Sequence, residues 1–419
     1  MFFLLFGIAN AVTMKLCFIF EGEGSEKWGY HKFQKPWWCT LVTFTGMALA
    51  LPIYLGMCIK DRISGENKLK LVSELSFKDI CEFAIPAISD LAEGIVSAVC
   101  IVFVGVSINS MMKSGTLVGV SLISRFMFKV HFAAYKWFFI VWVVIALTMV
   151  GCSGIISAED STTITTGRIW VAVIIILKFI TQVGYAIKIS YEEYFSQQKG
   201  YHPVMICGIE GCWSTAICAF ICMPIVQHIP GTEGNGIRED TLDTFVMLGN
   251  NSQTLAMSIV IVCLGLVYNC VSTTLIGRTS AVIRTLMEAF RTFLIWIVQF
   301  ILFYSFSSND NLYNYRMAGE EWATGSYVQL AGFILMTWAL FGYNKLPKYP
   351  CFKYISTWKE GDAGIDDNKE DELSQIETET TQGTTDTIEN IDLENEQDQA
   401  LSDVSVRSMS LGSSDESSN

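Results

Sequence analysis

The chain of 419 residues is 51% hydrophobic and only 16% charged, with a formal net charge of −13. A soluble protein is usually about 25% charged, so this composition excludes an ordinary soluble domain and indicates a protein with many membrane spans. Residues 360–419 hold 18 acidic and two basic residues, so the negative charge belongs to a C-terminal tail and not to the apolar part of the chain.

The placement of cysteine and histidine argues against a metal site or a disulfide framework. The 13 cysteines lie almost entirely in apolar runs, none forms a CxxC pair, and there are only four histidines. Small apolar packing residues are the better interpretation. No nucleophile–base set, phosphate-binding loop, H-x-x-E-H or G-x-S-x-G pattern is present in the sequence. We therefore predict a protein that is not an enzyme, uses no cofactor or metal and binds no nucleic acid.

About ten apolar segments are long enough to cross a hydrocarbon core of about 30 Å. In chain order they are Phe2–Phe20, Trp37–Ile59, Ile80–Val106, Ser107–Phe126, Trp137–Ile156, Ile169–Ile187, Pro203–Ile229, Thr254–Val271, Thr279–Phe306 and Tyr327–Phe341. The predicted fold class is therefore all-α membrane protein. Basic residues are more frequent in the loops on the side of the N-terminus, which predicts that both ends of the chain are cytoplasmic.

The ten segments divide into two halves with a similar order of polar and apolar helices. Polar residues occur in segments 1, 3 and 4 of the first half and in segments 6, 7 and 9 of the second. With five spans in each half, the second half starts on the opposite side of the membrane, as in the inverted repeats of secondary transporters. We predict one repeat at 1–156, a second at 157–345, and an acidic disordered cytoplasmic tail at 346–419, which has too little apolar surface to fold.

The ninth segment carries three charges on one helical face. Arg284, Glu288 and Arg291 follow the spacing i, i+4, i+7, so they project together. One charge at the centre of a bilayer costs about 2.5–3.5 kcal/mol even on the insertion scale. This face is therefore expected to line the interior of a helix bundle or a wet cavity.

Polar residues of other segments fit the same interior. We predict a site for a small polar solute that is built from Asn10, Lys15, Asp90, Glu93, Lys113, Gln182, Glu210, Arg284, Glu288 and Arg291. The slight excess of cations among the polar residues of the segments suits an anionic or zwitterionic solute. For Lys15, Lys113 and Arg291, the alternative is a position near a helix end, from which the charge reaches the headgroup region.

The acidic residues also have alternative interpretations. Asp90 and Glu93 share a helix face at i, i+3 and could serve as structural partners of a nearby lysine. Glu210 could lie at the membrane interface. Within the charged face of the ninth segment, Glu288 could mainly neutralise Arg284 and form an ion pair with no role in binding a ligand.

Several short motifs together resemble a known family. They are Gly7-Ile8-Ala9-Asn10 with Lys15, His31 to Pro36, Pro86 with Asp90, Glu192-Glu193, His202-Pro203, Glu210-Gly211, and Arg284 with Glu288 and Arg291-Thr292. Over about residues 2–345 the chain resembles the solute carrier 35 (nucleotide-sugar-transporter-like) family, subfamily F, of the drug/metabolite transporter superfamily. The family pattern would have Asp at position 288, and Arg at position 114 where this chain has Ser114 preceded by Lys113.

This resemblance implies ten helices in two inverted five-helix repeats, alternating access, and a location in an endomembrane such as lysosome or Golgi, with the mitochondrion as the alternative. The main hypothesis is a secondary transporter or exchanger of a nucleotide-sugar-like or other small polar organic solute. The alternative is a non-transporting membrane scaffold or regulator that acts on a partner such as adenine nucleotide translocase. Membrane lipid and a second copy of the chain, in a homodimer, complete the expected partners.

Overall fold

The computed structural model describes residues 1–65, 69–126, 134–160, 168–231, 233, 237–279, 281–305 and 319–343. The predicted acidic tail, 346–419, lies outside the described residues. The α-helices are α1 Phe2–Ile19, α2 Pro36–Ala48, α3 Ala50–Ile63, α4 Phe77–Glu82, α5 Ala84–Phe103, α6 Val106–Met112, α7 Thr116–Phe126, α8 Ala134–Asp160, α9 Arg168–Glu193, α10 Pro203–Ile217, α11 Met223–Val226, α12 Thr241–Asn250, α13 Ser252–Arg278, α14 Ala281–Ser305 and α15 Thr324–Tyr343. A short antiparallel hairpin pairs β1 Glu21–Glu23 with β2 Tyr30–Lys32.

Nine stretches of the described residues are helical, long and apolar enough to cross a membrane. They are Phe2–Ile19, Pro36–Ile63, Phe77–Phe103, Tyr135–Ser153, Ile169–Gln198, Pro203–Val226, Ser252–Arg278, Ile283–Ser305 and Thr324–Tyr343. The prediction of an all-α multi-pass membrane protein is confirmed. The remaining predicted segment, Ser107–Phe126, is not one continuous helix, because a 3₁₀ turn at Lys113–Gly115 separates α6 from α7.

Helix α9 differs from the sequence prediction in a way that matters for the site. The predicted sixth segment stops at Ile187 and is followed by a polar turn from Ser190. In the structure the helix continues to Glu193 and then through a π-helical turn, Tyr194–Gln198. Of the turn predicted from Ser190 to His202, only residues 199–202 lie outside a helix. The helix extends further because Lys188 and Glu192 are buried and paired inside the bundle.

The helices are polar inside and apolar outside, as expected for a bundle in lipid. On α9, Lys178 and Gln182 are fully buried, whereas Ile176 and Ile180 are 60% and 59% exposed. An apolar outer face loses nothing in a hydrocarbon environment, and charged groups in such an environment face the bundle interior. The interior of the bundle is therefore where the polar residues must find partners.

The helices of the two predicted halves pack in matching pairs. Helix α5 packs against α9, and α13 packs against α1; α10 packs against α5, and α2 packs against α13; α7 packs against α9, and α14 packs against α1. Helix α8, the last of the first half, packs against α15, the last of the second. Each contact has a counterpart between the segments five positions further along the chain.

A charged cluster outside the membrane spans connects the loop after α11 and helix α12 to the start of α2. Lys35 contacts Glu233 and donates to Asp243 at 2.6 Å, and all three side chains are almost fully buried. Glu239 accepts the backbone N–H groups of Trp37 and Trp38, each at 2.9 Å, and so satisfies the free N–H groups at the N-terminus of α2. Burial raises the pKa of Glu239 to about 8.

Candidate functional site

The charged face of α14 lies inside the bundle, as predicted. Arg284, Glu288 and Arg291 are 3%, 4% and 3% exposed. Arg291 donates to Glu288 in an i, i+3 ion pair, and the Tyr268 hydroxyl donates to the same carboxylate at 3.5 Å. The pair is therefore held within one helix and supported from α13.

Arg284 makes a different set of contacts. Its Nε donates to Ser272 Oγ and its Nη2 donates to the Tyr185 hydroxyl, both at 2.9 Å. Within the described part of the chain, no carboxylate lies in ion-pair range of this guanidinium. The hypothesis that Glu288 mainly neutralises Arg284 is wrong, because Glu288 is directed toward Arg291 on the following turn.

Helix α1 makes room for the charged face. A Cβ at Gly7 would overlap Cδ of Arg291, so this position accepts only glycine unless the arginine moves. The Arg291 Nη1 lies 3.5 Å from the Gly7 carbonyl oxygen, and its guanidinium stacks over the Tyr268 ring at 5.1 Å. The motif Gly7-Ile8-Ala9-Asn10 therefore has a packing role next to α14.

Glu93 of α5 forms ion pairs with two lysines. Lys178 of α9 forms a buried ion pair with this carboxylate and also contacts Ser97, which donates to Glu93 at 2.6 Å. Lys113, at the break between α6 and α7, lies 3.6 Å from the same carboxylate, with 24% of its side chain exposed. Lys113 is also within electrostatic range of Glu288.

Lys113 thus links the ion pairs of Glu93 to the ion pair of Glu288, and we name the combined group the basic cluster. Its members are Glu93, Lys113, Lys178, Arg284, Glu288 and Arg291. Four cations face two carboxylates, so the basic cluster has a net positive charge. Buried charges without a counter-ion are costly, and the surplus favours an anionic group between these helices.

A second group, which we name the acidic cluster, consists of Asp90, Lys188, Glu192 and Glu210 and has a surplus of carboxyl groups. Lys188 of α9 donates to Asp90 at 2.5 Å and lies 3.6 Å from Glu192. Glu192 also accepts the Thr273 hydroxyl of α13 at 3.1 Å. Glu210 of α10 lies fully buried beside them. Asp90 and Glu93 are thus both paired with lysines of α9, but each belongs to a different cluster.

The other predicted site residues lie apart from these clusters or make neutral contacts. Lys15 donates to Gln299 Oε1 at 3.3 Å and to the Gly319 carbonyl oxygen at 3.0 Å. Gln182 is fully buried and donates to the Thr116 hydroxyl. The Oδ1 of Asn10 is buried and has no hydrogen-bond partner among the described residues. The structure therefore does not bring Lys15 to the same place as Arg284 or Glu210.

Several members of the two clusters, and the hydroxyl groups that hydrogen-bond to them, were not among the predicted site residues. They are Lys178, Tyr185, Lys188, Glu192, Tyr268 and Ser272. Lys178 was visible as a charge within an apolar segment. Lys188 and Glu192 were hidden by the early end of the predicted sixth helix, although their i, i+4 spacing is a helical signal.

Comparison with known proteins gives distant but extended similarity. The chain is 23% identical over 351 residues to solute carrier family 35 member F6 of Homo sapiens, which covers 82% of this chain and 87% of the relative. It is 23% identical over 362 residues to the protein of the same name from Mus musculus, covering 84% and 89%. The Rattus norvegicus protein is 22% identical over 351 residues. No family model matches the chain.

Proposed function

We propose that this chain, a multi-pass membrane protein that belongs to solute carrier family 35, subfamily F, is a secondary transporter of a small anionic organic solute. The family name supports solute transport in general. The proposal that the solute is anionic rests on Arg284. Its guanidinium is buried, and its hydrogen-bond partners among the described residues are all neutral. A nucleotide-sugar-like metabolite or another organic phosphate or carboxylate fits this chemistry.

The charge of the basic cluster supports an anionic solute over a cationic one. Glu93 is shared by two lysines and Glu288 pairs with Arg291, so no carboxylate of the described residues forms an ion pair with Arg284. Arginine presents its N–H donors in a planar fork that matches carboxylate and phosphate oxygens. An incoming anion would replace the hydroxyl contacts of Arg284 with charge-assisted hydrogen bonds.

The matching helix pairs support transport by alternating access. Helix α5, the third span of the first half, packs against α9, the first span of the second half. Helix α13, the third span of the second half, packs in the same way against α1, the first span of the first half. Such a pattern is expected of two inverted five-helix repeats, 1–156 and 157–345, with the site between them. In this proposal, rocking of the two halves exposes the basic cluster to each side of the membrane in turn.

We also propose a membrane location, an orientation and binding partners for the protein. The excess of basic residues in the loops on the side of the N-terminus supports cytoplasmic ends, and the family supports an endomembrane, lysosome or Golgi, as the site of action. A homodimer and an interaction with adenine nucleotide translocase stay predictions that a co-purification experiment can test.

The test is counterflow in proteoliposomes that contain the purified full chain. Vesicles preloaded with one solute of a panel are assayed for uptake of the same labelled solute; the panel holds nucleotide sugars, nucleotides, organic phosphates, dicarboxylates and, as the opposite class, organic cations. We expect an anionic member to be exchanged. Arg284→Gln should weaken its apparent affinity about 10- to 100-fold, the equivalent of about one charge-assisted hydrogen bond.

The matched control is Arg278→Gln, because Arg278 is an exposed arginine at the end of α13. This variant should exchange the solute like the unmodified chain. Exchange of cations alone would overturn the anionic proposal, and the absence of exchange for every solute would overturn transport and favour a scaffold role. Equal loss in both arginine variants would show that the effect is not local to the basic cluster.

A further inference from the structure

The acidic cluster contains a carboxyl group that has no donor to bind. Glu210 is fully buried in α10, and neither of its oxygens has a hydrogen-bond partner among the described residues. Of the charged side chains, Glu192 of α9 has the strongest electrostatic interaction with it. Glu192 is also buried and has one oxygen, Oε2, without a partner among the described residues. Two ionised carboxylates are both acceptors and cannot form a hydrogen bond with each other.

The charges around the two carboxyl groups do not balance. Asp90, Glu192 and Glu210 surround a single amine, Lys188, which lies 2.5 Å from Asp90 and 3.6 Å from Glu192. Arg284 is the next cation within electrostatic range of Glu192. Even with Arg284 included, one negative charge is left over. An uncompensated carboxylate inside a membrane protein takes up a proton in preference to staying charged.

Among the described residues, the other elements that pack against α10 bring no further counter-ion to Glu210. Helix α2 packs against α10 and holds no charged residue. Helix α13 contributes the Thr273 hydroxyl and the Cys270 thiol, which contact Glu192 and Cys207 respectively. The charged residues of α3 are at its C-terminal end, where Arg62 pairs with Glu74 at the surface. The charged groups that face Glu210 are therefore Asp90, Lys188 and Glu192.

We infer that Glu210 and Glu192 share one bound proton and that the acidic cluster is a proton-binding site for coupled transport. The proton forms an O–H bond on one carboxyl group and a hydrogen bond to the other, as in carboxylate dyads that cannot ionise together. It comes from the solution on one side of the membrane and leaves to the solution on the other. No bond to carbon changes and nothing is oxidised or reduced.

The two clusters are linked through Tyr185. Arg284 donates to the Tyr185 hydroxyl at 2.9 Å, and the ammonium group of Lys188 lies 5.6 Å from the centre of the Tyr185 ring. An anion that draws Arg284 away from this hydroxyl also removes positive charge from the neighbourhood of Glu192. Solute binding and proton binding would then depend on each other, and this coupling rests on the proposed transport function.

The test of proton binding is infrared difference spectroscopy of the purified full chain, because protonated and ionised carboxyl groups absorb at different frequencies. We expect a protonated-carboxyl band at neutral pH that disappears when the pH is raised. Glu210→Gln and Glu192→Gln should each remove the same band. Glu93→Gln is the matched control, because Glu93 is a buried glutamate of the same bundle held by two lysines, and it should leave the band in place. Glu239→Gln identifies the separate band of the loop carboxyl.

The outcomes separate this inference from the proposed function. Identical bands in Glu210→Gln, Glu192→Gln and the unmodified chain would overturn the proton site, whatever solute is exchanged. The band without any solute exchange would leave the proton site standing and overturn transport. With both present, an imposed proton gradient should drive solute accumulation in proteoliposomes, and Glu210→Gln should abolish the accumulation while exchange continues. If Glu210→Gln does not fold, Glu192→Gln gives the same readout.

Discussion

The pairing of two lysines with one carboxylate in the basic cluster allows a quantitative prediction. Lys178 is fully buried and contacts Glu93 directly, whereas Lys113 lies 3.6 Å from the same carboxylate and has 24% of its side chain exposed. Both lysines therefore interact with Glu93, but they differ in burial and in their distance from its carboxylate. Replacing each of them with methionine removes the charge and keeps an unbranched side chain of similar length.

Lys178→Met should be strongly destabilising and Lys113→Met should not. Removing one partner of a buried ion pair costs about 3–5 kcal/mol, because the other charge stays buried. The value for Lys178→Met should fall near the lower limit, about 3 kcal/mol, since Lys113 remains beside Glu93. A solvent-exposed pair contributes about 0–1 kcal/mol. Because Lys113 is partly exposed and lies 3.6 Å from Glu93, Lys113→Met should cost close to this range.

The assay is unfolding of the purified full chain in mixed micelles of increasing SDS content, followed by the loss of helical circular dichroism. The double variant Glu93→Gln with Lys178→Met replaces both charges with neutral groups of similar shape, and such replacements are about neutral in other buried pairs. We expect it to recover to within about 1 kcal/mol of the unmodified chain. Equal destabilisation by the two lysine variants, or a double variant that is no more stable than Lys178→Met, would refute the reasoning.

Two further predictions concern Glu239, in the charged cluster outside the membrane spans, and the packing of α10 against α2 at Gly211. Because burial raises the pKa of Glu239 from 4.5 to about 8, its contribution to stability is full below pH 4.5 and is lost as the pH rises through 8, by up to about 1.4 kcal/mol per pH unit. Glu239→Gln should flatten this loss when SDS unfolding is measured across the range. Gly211→Ala should destabilise the chain by about 1–3 kcal/mol, because the new Cβ would collide with the backbone of Ala48. Gly56→Ala is its control, since among the described residues no atom outside its own stretch of helix backbone lies within 4 Å of a Cβ placed there.

The sequence was sufficient to predict the spans because each span depends on local composition. A run of apolar residues of the right length predicts a helix whatever surrounds it. The charged face of α14 was predicted for the same reason, as the spacing of Arg284, Glu288 and Arg291 is a property of one helix. Local composition did not predict the 3₁₀ turn at Lys113–Gly115, which interrupts the fourth segment and packs against α8, α9 and α14.

The choice of partners could not be predicted, because it depends on which helix lies opposite. Within α14, Glu288 had an arginine on either side, and the sequence offered no reason to prefer Arg291 over Arg284. The preference follows from α9 and α13, whose Tyr185 and Ser272 hydroxyls accept both hydrogen bonds from Arg284. The neutral hydrogen-bond partners of Arg284 therefore depend on three helices and are visible only in the fold.

The division of the interior into a basic and an acidic cluster has the same origin, and it gives α5 a special position. Asp90 and Glu93 are three residues apart, about 4.5 Å along the helix axis, but their partners Lys188 and Lys178 are ten residues apart, about 15 Å along α9. The long side chains of Lys188 and Lys178 extend toward each other along α9 and reach carboxylates on one turn of α5. One turn of α5 therefore contacts both clusters, and a displacement of α5 relative to α9 would change the two charge balances together.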